Sequence, residues 1–365
     1  MSDGARTLTL RALNRALLAR QMLLERQDRG VLDTLAHLIG MQAQEPQAPY
    51  LGLWTRIDGF HASALSELIE TRAAVRASLM RATIHLVTAA DYPPLWALTS
   101  TVLARAFRGS QFRRALNGVD LDALAHSGRE LLTQRPLSRA ELGARLAQLW
   151  PHVDPDALAY GVTLLSAVVQ VPPRGLWRRP GPARLSRAED WLGISLDQRP
   201  DPETMIVRYL AAYGPASAHD IQTWSGVSRL APVLEGLRDR LCSFFDADGR
   251  ELFDIAGAPL PEADVPAPPR FLAPFDNAIL AHHNRRRIIA PSHRSSISRD
   301  PLMRVFLVDG FAAGTWREQR GTMHITPFAP LSPGDETALI DEADQTLAFL
   351  APESAHRIVL EAAEP

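Results

Sequence analysis

The sequence predicts a mainly α-helical protein with small β-hairpins, arranged as three tandem winged helix-turn-helix modules and a small C-terminal α+β domain. Two observations lead to this fold class. Segments with apolar residues at helical spacing are followed by short strand pairs, and this order recurs along the chain. The capping signal S-x-x-[DE] opens a helix in the second and third groups, at Ser138 and Ser217. On pattern alone, a generic helical protein with hairpins fits equally well.

Length and composition limit the class of protein. The chain has 365 residues, of which 46% are hydrophobic and 22% charged, as in globular proteins of two or three domains. It contains no uncharged apolar stretch of about 18 residues, and residues 1–11 lack the apolar block of a signal peptide. The single cysteine, Cys242, cannot form an internal disulfide, which fits a reducing compartment. We therefore expect a cytoplasmic protein without a membrane segment.

The first module is predicted to occupy residues 1–110. Leu10, Leu13 and Leu17 recur at helical spacing, and comparable spacing continues to residue 70. Two short strands then flank residues 80–82, which completes the helix-then-hairpin order of a winged helix. The predicted elements of this module are helices at 8–24, 31–39, 48–57 and 62–70, and strands at 75–79 and 83–87.

Two further modules are predicted at residues 111–198 and 199–258. In the second module, Pro136 interrupts the helical pattern, and Ser138 with Glu141 forms a capping box before the next helix. In the third, a Gly-Pro turn precedes the same signal at Ser217. The predicted elements are helices at 121–132, 139–149 and 156–169 with a wing at 170–179, then helices at 202–213, 218–225 and 230–237 with a hairpin at 242–245 and 251–255.

A linker and a change of pattern mark the C-terminal α+β domain, predicted at residues 270–365. Residues 256–269 are rich in Pro and Ala and are expected to form the linker. Asp309-Gly310 is a strong signal for a two-residue hairpin turn. The predicted elements are strands at 304–308, 311–316, 323–327 and 357–361, and a helix at 335–350.

The distribution of charge matters more than its total. The formal net charge is only -2, and every one of the 39 basic residues is arginine, whose planar fork suits phosphate. Local basic patches could therefore contact phosphates, although solvated surface faces explain any single cluster equally well. The clusters are Arg105, Arg108, Arg113 and Arg114; Arg174, Arg178, Arg179 and Arg184; and Arg285, Arg286, Arg287, Arg294 and Arg299.

The run Met41-Gln-Ala-Gln-Glu-Pro46 is the sharpest local feature. Pro46 disfavours a helical Glu45, so the preceding helix should end near Gly40. In an extended segment, residues two apart share one face, so Gln42 and Gln44 could converge on one point. The alternative is an ordinary polar helix C-terminus, because such two-residue patterns are common by chance. Glu45 is either an assisting base or a solvated acid.

Two further regions contain candidate binding residues, one for DNA phosphates and one for a metal ion. Pro172-Pro-Arg-Gly175 could form a stiff wing whose Arg174, Arg178 and Arg179 bind DNA phosphates, and a surface loop of no consequence fits equally well. Asp276, Asn277, His282 and His283 resemble metal ligands at first sight. Adjacent histidines rarely bind one ion, however, and the spacing fits no zinc pattern. We expect no metal and no cofactor.

Four stretches together resemble the winged-helix family that contains the AlkZ DNA glycosylases. They are IGMQAQEPQAPYLGLWTRIDGF, VQVPPRGLWRR, FLAPFDNAILAHHNRRRI and VFLVDGFAAGTWR, within a similarity that runs from about residue 8 to residue 356. The resemblance implies three tandem winged helices around a concave DNA-binding face. It also implies a Gln-apolar-Gln catalytic motif, which falls on Gln42, Ala43 and Gln44. A sister branch has an acid at the second Gln, and this chain does not.

The resemblance implies a monofunctional glycosylase that removes N7- or N3-alkylated purines from double-stranded DNA, including bulky or interstrand-crosslinked adducts. Alkylation at N7 makes the purine cationic and a good leaving group, so two neutral carboxamides suffice to orient water and support an oxocarbenium-like sugar. On this interpretation the DNA-facing cleft is lined by His282, His283, Arg285, Arg286 and Arg287. We expect the protein to act on the nucleoid without an obligate protein partner.

Alternatives remain open at this point. The chain could be a tandem winged-helix regulator or lesion sensor without catalysis, in which case a recognition helix would read base edges. A metal hydrolase built on His282 and His283 is the third option. The absence of lysine excludes a lysine Schiff-base lyase but not one that uses the N-terminal amine. The sequence leaves open the preferred adduct, base flipping and the oligomeric state.

Overall fold

The N-terminal elements form a helical group followed by a hairpin. In the computed structural model, which describes residues 6–196, 199–299, 302 and 304–363, the chain is a mixed α+β protein with 45% helix and 17% strand. The first elements are α1 Leu10–Arg20, α2 Val31–His37, β1 Met41–Gln42, α3 Ala48–Trp54, α4 Ala62–Glu70, β2 Ala74–Ser78, β3 Ile84–Thr88, α5 Tyr92–Gly109 and α6 Gln111–Ala115. The four predicted helices and both predicted strands are confirmed, with ends shifted by a few residues. Helix α5, which opens on two prolines at its first turn, was not predicted.

The second group repeats the order of helices and hairpin. Its elements are α7 Leu121–Gln134, β4 Leu137–Ser138, α8 Arg139–Leu146, α9 Pro155–Leu165, β5 Val168–Val171, β6 Arg184–Arg187 and α10 Ala188–Leu192. The capping box of Ser138 and Glu141 is confirmed. The predicted helix at 156–169 is wrong at its end, because α9 stops at Leu165 and Val168–Val171, which contains three β-branched valines, forms a strand paired with β6.

The hairpins of the two groups share one sheet. Its six strands lie in the order β1-β3-β2-β5-β6-β4, and β2 meets β5 where Arg76 faces Gln170. Val75 and Val87 lie opposite each other on one face, which packs on the largest apolar core. The opposite face, with Leu86 and Met41, covers the helices of the first group. The first hairpin is therefore held between two cores.

The remaining elements form a third helical group and a second sheet. They are α11 Pro202–Tyr213, α12 Ala218–Ser225, α13 Ala231–Gly236, β7 Cys242–Phe245, β8 Glu251–Asp254, β9 Arg270–Phe271, α14 Asn277–Leu280, α15 Arg294–Arg299, β10 Val305–Val308, β11 Phe311–Gln319, β12 Thr322–Pro327, α16 Pro333–Leu350 and β13 Arg357–Leu360. The capping box of Ser217 and Asp220 and the turn at Asp309-Gly310 are confirmed. The sheet order is β13-β12-β11-β10-β9, with β12 and β13 parallel.

Buried ion pairs join segments that are distant in sequence. Arg56 of the turn after α3 binds both carboxylate oxygens of Asp276 at 2.8 and 2.9 Å, and both side chains are fully buried. Arg20 at the end of α1 binds Asp254 of β8 in the same bidentate manner. These pairs hold β8 and the start of α14 against the ends of α1 and α3. Over the described ranges, no helix is long and apolar enough to cross a membrane.

Candidate active site

A sharp change of backbone direction brings the Gln-Ala-Gln segment into the sheet. Helix α2 ends at His37, two residues before the predicted end at residue 39. Gly40 then adopts φ +87, and a Cβ there would lie 2.6 Å from the carbonyl oxygen of Leu86, so only glycine fits. Strand β1 follows and pairs Gln42 with His85 of β3. The backbone at the first glutamine is therefore extended.

Both glutamine side chains contact the β2–β3 hairpin. Oε1 of Gln42 accepts a hydrogen bond from Nη2 of Arg81 at 2.7 Å, and Oε1 of Gln44 accepts one from the backbone N–H of Ile84 at 3.3 Å. Because both donors can only donate, the amide orientations are determined, with each oxygen toward the hairpin. Gln42 is 8% exposed and Gln44 is exposed. The structure thus brings one buried and one exposed carboxamide to the β2–β3 hairpin.

Arg81 holds Gln42 from a strained position. Its φ of +54 is in the left-handed region, and its Nη1 donates to the carbonyl oxygen of Trp224 at the end of α12. Burial lowers the pKa of the Arg81 guanidinium to about 10, with a smaller contribution from Arg285, so the group stays charged at neutral pH. Sequence reasoning placed Arg81 in the hairpin connection but did not link it to the glutamines.

His85 is the cross-strand neighbour of Gln42 and was also missed. Its Nδ1 lies 2.9 Å from the carbonyl oxygen of Thr83, which can only accept, so the proton is on Nδ1 and Nε2 carries a lone pair. Burial, and then the charge of Arg81, lower the pKa of His85 to about 3. The imidazole is therefore neutral beside Gln42. The sequence signal that could have pointed to His85 is its position within the predicted strand 83–87.

Two buried side chains hold the backbone on either side of Gln42. Nδ2 of Asn277 donates to the carbonyl oxygen of Gly40 at 2.8 Å and to the Tyr213 hydroxyl oxygen at 2.9 Å. Nη2 of Arg76 donates to the carbonyl oxygen of Ala43 at 2.8 Å, and burial lowers the pKa of this arginine to about 10. The residue pair Asp276-Asn277, which resembled metal ligands in the sequence, thus serves as ion-pair partner and backbone support.

Glu45 lies at the edge of a separate cleft. This cleft of about 340 Å³ is also lined by Gln47, Leu51, Arg304 and Trp316. Glu45 is half-buried, and its Oε1 accepts from the backbone N–H of Gln47 at 3.4 Å. The carboxylate is therefore oriented by the turn that leads into α3.

The predicted wing of the second group is docked on the first group. The Tyr50 hydroxyl donates to the carbonyl oxygen of Gly175 at 2.8 Å, and the N–H of Arg178 donates to Oε1 of Gln47 at 2.9 Å. Arg174 is half-buried and donates to the carbonyl oxygen of Gly181. Arg178 and Arg179 are exposed, although Arg178 also reaches the carbonyl oxygen of Leu350 at the end of α16. The predicted wing therefore packs against α3 through Gly175 and Arg178, and the side chains of Arg178 and Arg179 face the surface.

The predicted basic cleft residues divide by burial. His282 is 2% exposed and Arg287 is 5% exposed, and Arg287 donates to the carbonyl oxygen of Pro215, so both side chains are buried and not on an open surface. Arg286 forms an ion pair with Asp248 at 2.9 Å. His283 is exposed and Arg285 half-buried, and both border a cavity of about 240 Å³. Within residues 6–196, 199–299, 302 and 304–363, no group of three or more His, Cys, Asp or Glu could hold a metal ion.

Comparison with known proteins shows the family to which the chain belongs. The family model described as "DNA glycosylase AlkZ-like" matches residues 35–349. A relative from Streptomyces sahachiroi, named "Interstrand DNA cross-link repair glycosylase", is 25% identical over 335 residues, which cover 85% of this chain and 88% of the relative. The solved structure of the Streptomyces sahachiroi DNA glycosylase AlkZ superposes with a TM-score of 0.81 at 21% identity, covering 97% of this chain and all of that one. The chain belongs to the AlkZ-like DNA glycosylase family, whose activity is hydrolysis of N-glycosyl bonds in DNA.

Proposed function

We propose that this glycosylase hydrolyses the N-glycosidic bond of N7- or N3-alkylated, cationic purines in double-stranded DNA, and that Gln42 and Gln44 act at that bond. One observation carries the proposal. Two uncharged carboxamides two residues apart are both oriented by the β2–β3 hairpin, Gln42 through Arg81 of the connection and Gln44 through Ile84 at the start of β3. Fixed dipoles of this kind stabilise developing charge without reorganising during the reaction.

The chemistry follows from the charge of the lesion. As the bond between C1′ and the alkylated purine breaks, the base leaves with the electron pair as a neutral molecule, and positive charge develops on the sugar. Water then forms the new bond to C1′ and passes its proton to the surrounding solvent. Each Oε1 keeps a second lone pair after its hydrogen bond to the hairpin, so it can accept from that water or face the sugar cation. A neutral purine would need protonation by an acid, which two amides do not supply.

Bulky adducts fit the same geometry. The exposed position of Gln44 gives an open approach to the bond, whereas an enclosed pocket would reject a large substituent. The Streptomyces sahachiroi relative, named as a cross-link repair glycosylase, supports including interstrand crosslinks among the substrates. We extend the proposal to these adducts and to action on the nucleoid.

The arrangement of groups supports a DNA-binding architecture of three winged helices. In each of the ranges 1–110, 111–198 and 199–258, helices precede an antiparallel strand pair, β2–β3, β5–β6 and β7–β8 in turn. Residues 270–365 then supply the second sheet and α16. We propose that the three groups are winged-helix modules that bind duplex DNA and that the C-terminal domain supports β1 through Asn277.

A comparison of cationic and neutral lesions tests the proposal. Duplexes with a single 7-methylguanine, 3-methyladenine or 8-oxoguanine are incubated with the protein, and abasic sites are revealed by alkaline cleavage. We expect cleavage at both cationic bases and none at the neutral 8-oxoguanine. Tight duplex binding with no abasic sites at any lesion would replace the proposal with that of a non-catalytic regulator or lesion sensor.

A further inference from the structure

A basic cavity lies between α12 and the segment that follows α14. Its volume is about 240 Å³, and we call it the arginine cavity. The residues that line it are Thr223, His282, His283, Arg285, Ile289, Arg294 and Ile297. None of these is acidic, so its polar lining consists of one hydroxyl, two imidazoles and two guanidinium groups.

The positive charge of the arginine cavity favours an anionic ligand. Burial and then the neighbouring Arg294 lower the pKa of Arg285, but a guanidinium remains charged at neutral pH. The carboxylate of Asp220, which interacts with His282 through its charge, accepts hydrogen bonds from the N–H and hydroxyl of Ser217 and from the N–H of His283 at 2.7 to 3.0 Å. A cationic alkylpurine would be repelled from such a site, whereas an anion with several acceptor oxygens would be bound.

A buried side chain in the cavity lacks partners. His282 is 2% exposed, and among the described residues neither of its ring nitrogens has a hydrogen-bond partner. Buried polar atoms are nearly always paired, so the two ring nitrogens of this lining residue are available to a partner that occupies the cavity. An N–H of the neutral ring can donate to a phosphate oxygen beside the Arg285 guanidinium.

The cavity adjoins the candidate catalytic motif. Thr223 precedes Trp224, whose carbonyl oxygen binds Arg81, and Arg285 is close enough to Arg81 to lower its pKa. Arg81 in turn binds Gln42. From this juxtaposition we propose that the arginine cavity binds one phosphodiester of the DNA strand next to the lesion, which rests on the DNA substrate of the proposed function. The bound phosphate would place the neighbouring sugar near Gln42 and Gln44.

A phosphate-by-phosphate binding experiment tests this assignment. Duplexes carry a tetrahydrofuran site, which contains no base to excise, and a single uncharged methylphosphonate at one of the flanking positions. Affinities are measured by fluorescence anisotropy for the wild type, Arg285→Ala and the control Arg357→Ala, an exposed arginine on β13. We expect one methylphosphonate position to weaken wild-type binding about tenfold and to have no further effect in Arg285→Ala. Arg285→Ala should also reduce the salt slope by about 1.

Two results would overturn the assignment. The first is an Arg285→Ala protein that melts like the wild type and shows the same affinity, salt slope and methylphosphonate profile. The second is that inorganic phosphate lowers duplex affinity only when Arg285 is present, while no methylphosphonate position changes that affinity. The cavity would then bind a free anion rather than DNA. The tetrahydrofuran duplex has no base to excise, so this experiment measures binding alone. If the protein had no glycosylase activity, the binding result would still stand. If the cavity did not bind the phosphodiester, the excision result would still stand.

Discussion

Arg81 joins Gln42 to the end of α12: one nitrogen of its guanidinium donates to Oε1 of Gln42 at 2.7 Å and the other to the carbonyl oxygen of Trp224. The first hairpin and the third helical group therefore meet at the candidate catalytic side chain. If α12 is displaced, the arginine must release one of its two partners. The position of Gln42 thus depends on contacts made far along the chain.

Replacement of Arg81 should reduce excision more than it reduces DNA binding. In Arg81→Ala, Gln42 loses a charge-assisted hydrogen bond worth about 1.5 to 3 kcal/mol, so the single-turnover rate on 7-methylguanine should fall about 10- to 100-fold. Arg105→Ala is the matched control, because Arg105 binds the carbonyl oxygen of Gly226 beside the same helix end without touching Gln42. Equal rates for Arg81→Ala and the control would refute the positioning role.

A methyl group at Gly226 should disturb the same contact from the other side. Gly226 caps α12 at φ +78, and a Cβ there would lie 2.9 Å from Cγ1 of Val102 and 3.1 Å from the backbone nitrogen of Arg81. Gly193→Ala is the control, since Gly193 caps α10 at φ +67 with open space around it. Both variants suffer the left-handed strain, but Gly226→Ala should lose at least about 1 kcal/mol more in urea unfolding. Its excision rate should also fall, whereas Gly193→Ala should excise normally.

His85 should make the protein less stable in acid. Its pKa is lowered from 6.5 to about 3 by burial, so the unfolded state takes up a proton as pH falls below 6.5 while the folded state does not. The stability is fully present above pH 6.5 and is lost as pH falls toward 3. Between pH 7.5 and 5.5, the wild type should lose about 1.4 kcal/mol that His85→Gln does not lose. Parallel losses in the two proteins, measured by urea titration, would contradict this origin.

Asp276 should be one of the most sensitive positions for stability. Asp276→Asn leaves the fully buried Arg56 without a counter-charge, which costs about 3 to 5 kcal/mol. The surface pair of Arg240 and Glu203 at 3.4 Å serves as the control, and Glu203→Gln should unfold almost as the wild type does. Thermal unfolding followed by circular dichroism measures both. Similar midpoints for the two variants would show that the buried pair is not needed.

Local signals predicted the elements well and their partners poorly. The capping boxes at Ser138 and Ser217 depend on residues three apart, so the sequence alone locates those helix starts. The end of α9 was wrong because Val168–Val171 is a strand only in the presence of β6 and β2, and a continuous apolar run does not distinguish helix from strand. Non-local pairing decided the structure of that segment.

In the candidate site too, the sequence predicted local backbone features but not the contacts between distant residues. Gly40 and Pro46 act on the backbone next to them, and the predicted extended backbone is present at Gln42, but β1 stops there and Gln44 lies in a bend, so the extended segment does not reach the second glutamine. The contact of Gln42 with Arg81 depends on the register of β1 against β3, about 40 residues away, and no short-range pattern specifies it. The burial of Arg287 within an arginine run likewise follows from tertiary packing against Pro215.

Single-turnover excision of 7-methylguanine by Gln42→Ala and Gln44→Ala tests the central claim most directly. The control is Gln148→Ala, an exposed glutamine outside the site. The account predicts that each of the two motif variants binds the duplex and melts like the wild type but releases the base at least about 100-fold more slowly, as for the loss of an aimed dipole. Release at the wild-type rate by both folded variants would show that the two amides do not act at the glycosidic bond.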